Sequence, residues 1–463
     1  MTDTKNNEFL GTAPIGKLLF KLAIPTITAQ LINMLYNIVD RIYIGHMDEE
    51  IGDLALTGVG VCMPLILIIS AFASLISASG APRASIFMGK GDVDSAERTM
   101  GSCFILQCIV SVVLTVLMFV FHRPLLLAFG ASENTIGYAC DYMRVYCLGT
   151  IFVQLTLGMN SYITAQGFAK MGMITVVIGA LINILLDPLF IFTFGMGVRG
   201  AAIATIISQA MSCIWVIVFL MSKNSILKLK RSTLKLDMKL ALPCIALGLA
   251  PFIMQSSESI ISFCFNSSLQ TYGGDIAVGA MTILTSVMQF AMLPLQGLAQ
   301  GAMPIISYNY GAKNADRVKG VFKLLLTSSL IYSLTLWAFV MLFPRAFATI
   351  FTSEVALLDF TESALRIYCG VLGIFGIQIA CQMTFVSLGK ALSSMIVAIM
   401  RKFVLLIPLI YIIPTFFDAA NKTTGVYLAE PIADVLAVTF TAVLFAVQFK
   451  KVMREIEEKV EIQ

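Results

Sequence analysis

Charged residues are scarce in this 463-residue chain, where Asp, Glu, Lys and Arg together make up only 13% of the sequence. Histidine is scarcer still, with two residues, and the ten cysteines stand singly among apolar neighbours. Because metal sites and disulfide frameworks need clustered Cys, His or carboxylate side chains, the sequence predicts neither a structural metal nor a disulfide scaffold. So few charges could not cover the surface of a soluble protein of this size.

The pattern Gly-x-x-x-x-Gly-Lys-Ser/Thr, which binds nucleotide phosphates, is also missing. The two Gly-Lys pairs, at Gly89 and Gly389, lack the upstream glycine and the following hydroxyl residue. We therefore expect no cofactor, and any transport would draw on an ion gradient or on another subunit. The net charge of +4 is spread over several loops, which favours contact with anionic lipid headgroups over nucleic-acid binding.

Apolar residues, in contrast, make up 58% of the chain, and the mean hydropathy is +0.89. A helix needs about 20 predominantly apolar residues to cross the hydrocarbon core of a bilayer. The sequence therefore predicts an all-α polytopic membrane protein with twelve transmembrane spans. Their approximate limits are residues 17–45, 54–79, 94–121, 136–160, 163–193, 199–222, 240–270, 275–302, 318–343, 356–382, 394–415 and 424–449.

The chain contains an internal duplication, because residues 53–167 align with residues 275–389 at one constant offset of 222 without a gap. Landmark residues coincide, for example Pro82 with Pro304. With six spans in each copy, both copies enter the membrane from the same side, which predicts two parallel six-helix repeats. The predicted organisation is an N-terminal lobe (1–222), a cytoplasmic linker (223–239), a C-terminal lobe (240–450) and a cytoplasmic tail (451–463).

Basic residues alternate between the two sides of the predicted spans. One side carries the linker with its Lys and Arg cluster, together with both termini, and the other has few basic residues. Because Lys and Arg are retained on the cytoplasmic side of short loops, we expect both termini and the linker to be cytoplasmic. The predicted location is the plasma membrane of a prokaryote, with multiple crossings.

Two carboxylates lie within the first-half spans, where each costs about 2.5–3.5 kcal/mol and so requires a role. Asp40 and Asp187 lie roughly 23 residues after the predicted starts of spans 1 and 5, at similar depth. Asn183 shares the helix face of Asp187, and Thr205 reaches the same level from span 6. These four residues predict a site that binds Na⁺ or a shared proton, whereas the alternative is that each carboxylate is merely hydrated at the headgroup boundary.

The second half has no carboxylate aligned with those of the first. Its own intramembrane acid is Glu258 in span 7, which would either contact a cationic substrate or hold a structural partner. We expect Glu430 and Asp434 near the outer interface of span 12. Arg401 and Lys402, in span 11, are expected to extend their side chains toward the membrane surface.

Several segments together resemble one family, the multidrug and toxic compound extrusion (MATE) transporters, and within it the MepA-like group close to the DinF branch. The resemblance covers nearly the whole chain. The segments that carry it are Leu22–Pro25, Tyr36–Gly45, Pro82–Gly89, Asn183–Pro188, Gly197–Ala202, Pro304–Gly311 and Ala429–Asp434.

This resemblance implies a V of two six-helix bundles that opens alternately to either side and exports amphipathic, often cationic, drugs in exchange for Na⁺ or H⁺. The family's cation site would correspond to Asp40, Asn183, Asp187 and Thr205. Its substrate cavity would include Asn33, Tyr36 and Asn160, with Asn37 of the same motif and Glu258 of the second half. Another branch of the same family uses the acid of span 7 together with an Asp in span 10 as its cation site. Span 10 here offers only Glu362, near its start, which favours coupling through the first half.

The nearest rival function is a flippase for lipids or lipid-linked oligosaccharides, which shares the parallel repeat plan. Such flippases tend to line their cavity with basic residues, whereas the candidate cavity charges here are mostly acidic. A membrane-embedded transferase would need a catalytic His, Cys or Asp group on a loop, and the sequence offers none, so we do not expect an enzyme. The expected partners are hydrophobic or cationic small molecules and membrane lipids, with the protein acting as a monomer.

Overall fold

A computed structural model describes residues 9–47 and 49–461 of the chain. Nearly all of these residues lie in helices. We number the membrane spans 1 to 12 in chain order. Their bounds are Ile15–Gly45 (span 1), Glu49–Gly89 (span 2), Val93–Ala128 (span 3), Ile136–Leu148 with Thr150–Ala165 (span 4), Ala169–Pro188 (span 5), Gly197–Met221 (span 6), Met238–Gly311 (spans 7 and 8), Ala315–Leu342 (span 9), Val355–Tyr368 with Phe375–Ser387 (span 10), Ala391–Ile399 with Ile407–Ile412 (span 11) and Lys422–Glu461 (span 12).

Within the described residues, nine helices are long and apolar enough to cross a membrane, or ten if the bent pair of span 10 counts as one crossing. The helix Met238–Gly311 supplies two crossings, since it breaks at Gly274. There φ is 64° and ψ is −159°, a combination that suits only glycine. Span 4 is a further pair of helices, each too short to cross alone. The prediction of twelve spans is therefore confirmed.

Several predicted boundaries are wrong. The helices of spans 2 and 8 continue to Gly89 and Gly311, beyond their predicted ends at residues 79 and 302. Span 5 was placed from residue 163, but residues 163–165 still belong to span 4, and span 5 begins at Ala169. A turn separates them because Gly167 adopts φ of 88°, which ends the preceding helix. Span 12 also extends further than predicted, since its helix continues through the predicted tail to Glu461. The last two tail residues and residues 1–8 of the predicted N-terminal lobe lie outside the described residues.

Short π-helical segments interrupt one span in each lobe. Span 5 ends in the π-helix Leu189–Thr193, and span 11 contains the π-helix Met400–Leu406. Such segments are rare and are often found at functional sites, because the widened turn changes which side chains face inward. Asp187 lies just before the π-helical segment of span 5, and Arg401 lies within the π-helical segment of span 11.

Each lobe has its own hydrophobic core, and equivalent hydrogen bonds connect equivalent spans. Ser85 Oγ donates to Ala165 O at 2.9 Å, and Ser307 Oγ donates to Ser387 O at 2.8 Å. Both residues of the second bond lie 222 positions after those of the first. The bonds of Asn160 Nδ2 to Gly172 O and of Gln382 Nε2 to Ser394 O follow the same offset. The duplication seen in the sequence is thus reproduced in the contacts.

The linker packs against the N-terminal lobe. Gln166 Oε1, in the turn after span 4, accepts hydrogen bonds from Ser225 Oγ, Ile226 N and Leu227 N at 2.8–3.0 Å. The buried Glu97 carboxylate of span 3 binds Lys230 Nζ at 2.5 Å. We call the end of the molecule that carries the linker the linker face, and the opposite end the far face.

The two lobes pack closely on the linker side. A Cβ atom added at Gly89 would lie 1.9 Å from Tyr308 O, and one added at Gly311 would lie 2.0 Å from Ile86 O. These two approaches are related by the 222-residue offset. Only glycine lets the ends of spans 2 and 8 come together in this way.

Further hydrogen bonds join the lobes between the linker face and the middle of the spans. Thr26 Oγ1 donates to Gly297 O at 2.6 Å, and Ser74 Oγ bonds to Gln255 Oε1 at 3.1 Å. The N-terminal helix Phe9–Thr12 is held there as well, because the side chains of Asn309 and Arg317 both donate to Leu10 O. In the described part of the chain, the hydrogen bonds between spans 1–6 and spans 7–12 lie no farther from the linker face than the middle of a span. The lobes are thus joined at the linker side, like the closed end of a V.

Candidate ion-coupling site and a second charged cluster

Spans 5 and 6 position the first part of the predicted site. Asn183 and Asp187 share one face of span 5, and Asn183 Nδ2 donates to Asp187 Oδ1 at 3.2 Å. The same amide lies 3.5 Å from Thr205 Oγ1 on span 6. Thr205 donates its own hydroxyl hydrogen to Ala201 O, so its remaining lone pairs stay available as acceptors. Asn183 and Asp187 are almost completely buried.

Asp40 on span 1 completes the group, because its carboxyl group faces and interacts with that of Asp187. Three buried oxygens of the group, Asp40 Oδ1, Asp187 Oδ2 and Asn183 Oδ1, have no hydrogen-bond partner among the described residues. Buried polar atoms are nearly always paired, and two adjacent carboxylates repel each other. The group can therefore accept a proton or a small cation. The structure brings together all four residues predicted from depth.

Tyrosines surround this group, and sequence reasoning identified only one of them. Tyr36, one turn before Asp40, lies near Asp40, Asp187 and the side chain of Gln209. Tyr142 on span 4 lies beside Asp40 and Thr205, and its ring stacks on Tyr146 with 6.0 Å between centroids. The spacing of four residues between the two span 4 tyrosines was a signal that could have placed both on the inner face.

The residues assigned to the cavity by resemblance do not all gather at this site. Asn37 Nδ2 donates to Asn33 O at 2.6 Å, and the Asn33 side chain is exposed. Asn160 bonds to Gly172, which is 15 residues before Asp187 on span 5 and so roughly 22 Å closer to the linker face. Tyr36 therefore borders the acid group and Asn37 lies beside Tyr36, whereas Asn160 connects spans 4 and 5 far below that group.

Glu258 has a partner that the sequence did not reveal. Its carboxylate binds Lys402 Nζ at 2.7 Å, joining span 7 to the π-helical segment of span 11. The Glu258 side chain is 54% exposed, whereas that of Lys402 is only 6% exposed. The prediction that Lys402 extends toward the membrane surface is wrong, because a buried ammonium is stabilised by a carboxylate within hydrogen-bonding distance.

Arg401 is buried too, contrary to the same prediction. It donates to Asp434 Oδ1 at 2.8 Å and to Glu430 Oε1 at 2.9 Å, and its guanidinium lies over the Phe375 ring at 4.7 Å. Glu430 and Asp434 are each 5% exposed. They pair with Arg401, which lies midway along span 11, so their predicted place at the outer interface is also wrong. Their spacing of four residues aims both at Arg401, and the three charges pair within the lobe.

Comparison with protein families decides what kind of protein carries these sites. The MatE family model matches residues 25–189 and again residues 251–412, which together are well over half of the chain. The chain belongs to the MatE family. These are membrane transporters and not enzymes, and the two matched segments are the two repeats. The matches include Asp40, Asn183 and Asp187 in the first repeat.

Individual MATE proteins resemble the chain over almost their whole length. The multidrug export protein MepA of Staphylococcus haemolyticus is 23% identical over 423 residues, covering 91% of this chain and 92% of MepA. A crystal structure of a MATE protein in the bent conformation superimposes with a TM-score of 0.91 at 23% identity, covering 98% of this chain and 99% of the other. A multidrug resistance MATE transporter in an outward-facing conformation gives 0.89 at 25% identity, with the same coverage. The likeness to solved MATE structures and the match to the family model therefore lead to the same family.

Proposed function

We propose that this MATE transporter is a multidrug efflux antiporter, which exports amphipathic, often cationic, compounds in exchange for Na⁺ or H⁺. The observation that carries the proposal is the buried group of Asp40, Asn183, Asp187 and Thr205, in which three oxygens have no hydrogen-bond partner within residues 9–47 and 49–461. Two acids in a low-dielectric environment are stabilised when one cation or proton binds between them. The similarity to a multidrug export protein over 91% of the chain supports the choice of substrate class.

The linker face is proposed to be cytoplasmic, with the protein a monomer in the plasma membrane of a prokaryote. The basic residues at that face support this orientation. Because the lobes are joined on the linker side, the described conformation would be open to the outside. Inward opening would then require separation of the contacts around Gly89 and Gly311.

Coupling would follow from the position of the acid group between spans 1, 5 and 6. An ion that neutralises Asp40 and Asp187 removes their repulsion and changes how span 1 packs on span 5. Ion binding can drive export only if its affinity differs between the outward-open and inward-open states. The substrate would occupy the space between the lobes, bordered by Asn33, Tyr36 and Asn37 of the first lobe and by Glu258 of the second, where the tyrosine ring attracts cations.

A flippase for lipids or lipid-linked oligosaccharides fits the charges less well. A phosphate headgroup needs cations that are free to bind it. In the second lobe, Arg401 and Lys402 are both held by carboxylates. The first-lobe site presents two acids, which would repel a phosphate.

Efflux of ethidium from loaded cells that express the chain tests the proposal, with Na⁺ and pH gradients imposed separately. Efflux driven by one of the gradients and lost in Asp40→Asn would support antiport through this site and identify the ion. Asp53→Asn is a matched control, because Asp53 is an exposed residue near the far-face end of span 2. Gradient-driven efflux that survives Asp40→Asn would contradict the assignment, and no efflux under either gradient would favour the flippase.

A further inference from the structure

The acidic and basic side chains of the second-lobe cluster are unequal in number. Three carboxylates, those of Glu258, Glu430 and Asp434, face two cations, Arg401 and Lys402. If all five groups are ionised, the cluster carries one uncompensated negative charge. Arg401 and Lys402 and the acids Glu430 and Asp434 are almost completely buried. A net charge away from water is costly, so one more positive charge would stabilise the cluster.

The geometry identifies which acids share that excess charge. Lys402 forms an ion pair with Glu258, whose side chain is half-exposed and can also be hydrated. Glu430 and Asp434 must share the single guanidinium of Arg401, whose Nη2 donates to Glu430 Oε1 and whose Nε donates to Asp434 Oδ1. Two buried carboxylates with one cation between them resemble an acid pair that holds a proton.

A second observation points into the same place. Tyr368 on span 10 is 8% exposed, and Glu430, Asp434 and Glu258 lie near its phenol group. Here the hydroxyl can either donate to a carboxylate or accept from a protonated one, so it suits a group whose protonation changes.

The position of Tyr368 also relates this cluster to the first-lobe site. Tyr368 lies 222 residues after Tyr146, which stands next to Tyr36 and Tyr142 beside the Asp40 group. Each lobe also has a π-helical segment beside its charged group, in span 5 and in span 11. The two clusters thus occupy related places in the two repeats, although their residues do not align.

We propose that the cluster in the second lobe is a second proton-binding site, with one proton shared between Glu430 and Asp434 beside Arg401. A proton fits better than a metal ion, because no group of three His, Cys, Asp or Glu side chains in the described chain converges on one point. The titratable or charged groups that face the pair are Arg401 and Lys402 from span 11, Glu258 from span 7, and Tyr368 and Cys369 from span 10. This site is a property of the folded chain and does not rest on the proposed drug export.

Infrared difference spectroscopy of the reconstituted protein between acid and neutral pH tests the proposal, because protonated carboxyl groups absorb apart from carboxylates. The measurement is made on an Asp40→Asn, Asp187→Asn background, which removes the titration of the first lobe. We expect one titrating buried carboxyl group to remain on this background, and Glu430→Gln or Asp434→Asn to abolish its band. Glu362→Gln is the matched control, since Glu362 pairs with Arg345 and Arg366 outside the cluster, and its band should be unchanged.

A band that persists in both Glu430→Gln and Asp434→Asn would overturn the proposal, as would the absence of any band on the double-variant background. Na⁺ added at constant pH should leave the band unchanged. If Na⁺ removed it, the cluster would be a sodium site instead. Because no transport is measured, failure of the drug-export proposal would not affect the result.

Discussion

Gly311→Ala is the most direct perturbation of the contact that closes the linker side. The added Cβ would lie 2.0 Å from the backbone oxygen of Ile86, whereas a carbon and an oxygen in contact need about 3.3 Å. The ends of spans 2 and 8 would therefore have to separate by about 1.3 Å. The obstacle is backbone, so a change of side-chain rotamer cannot relieve it.

The cost can be estimated from other overpacked helix contacts, which lose about 1–3 kcal/mol. Since about 1.4 kcal/mol is a tenfold change in an equilibrium constant, the ratio of linker-closed to linker-open molecules should fall by about 5- to 140-fold. The variant should still fold, because each lobe has its own hydrophobic core and the affected contact lies between the lobes.

Spin labels at positions 170 and 316 would measure the separation of the lobes, because Lys170 and Asp316 are exposed and lie at the linker-side ends of spans 5 and 9. We expect Gly311→Ala to add a population at longer distance. Gly60→Ala is the control on span 2, where an added Cβ meets no atom within 4 Å. Identical distance distributions for wild type and Gly311→Ala would refute the inference that this contact holds the lobes closed.

Three further predictions concern other parts of the molecule. Arg401→Met leaves Glu430 and Asp434 without a cation and should lower the free energy of unfolding by about 3–5 kcal/mol, seen as a lower melting temperature in detergent. Arg366→Met removes only a surface pair and should cost about 1 kcal/mol or less, so equal losses would contradict burial of the Arg401 charges. Gln166→Leu removes the acceptor for three linker donors and should therefore speed trypsin cleavage after Lys228. The control Gln270→Leu, on the far face, should leave the cleavage rate unchanged. A cleavage rate that is also unchanged in Gln166→Leu would show that the linker is held by other contacts. Arg317 binds residues 9–13 through Leu10 O and Ala13 O, so Arg317→Ala should increase the rate of amide hydrogen exchange in these residues. The control Arg345→Ala should leave this rate unchanged. Equal exchange rates in the two variants would contradict the role of Arg317.

The spans and the grouping of the four first-lobe residues could be predicted because both depend on position along single helices. Asp40, Asp187 and Thr205 were grouped by counting residues from the ends of their spans, and this count tolerated the misplaced start of span 5. That start was missed because residues 163–168 are mostly apolar, and only Gly167 marks the turn. The signal was a single glycine within an apolar stretch.

The second-lobe cluster could not be predicted in the same way. Arg401 and Lys402 are adjacent in sequence, and an ordinary helix would turn them to different sides, about 100° apart. Within the π-helical segment both still face partners in the lobe, because those partners lie on different spans, Glu430 and Asp434 on span 12 for Arg401 and Glu258 on span 7 for Lys402. Nothing in the sequence pattern indicates this segment, so extension toward the membrane surface was the simpler expectation.

The central claim is the exchange of a substrate for an ion through Asp40 and Asp187, and purified protein in liposomes tests it in reverse. A gradient of tetraphenylphosphonium, a permanently charged organic cation, is imposed across the liposome membrane while a trapped dye reports internal H⁺ or Na⁺. We predict that the organic cation drives one of these ions in the opposite direction in the wild type, and that Asp187→Asn abolishes this ion movement. Movement of the organic cation with no ion moving against it, or ion movement that persists in Asp187→Asn, would contradict the proposed antiport.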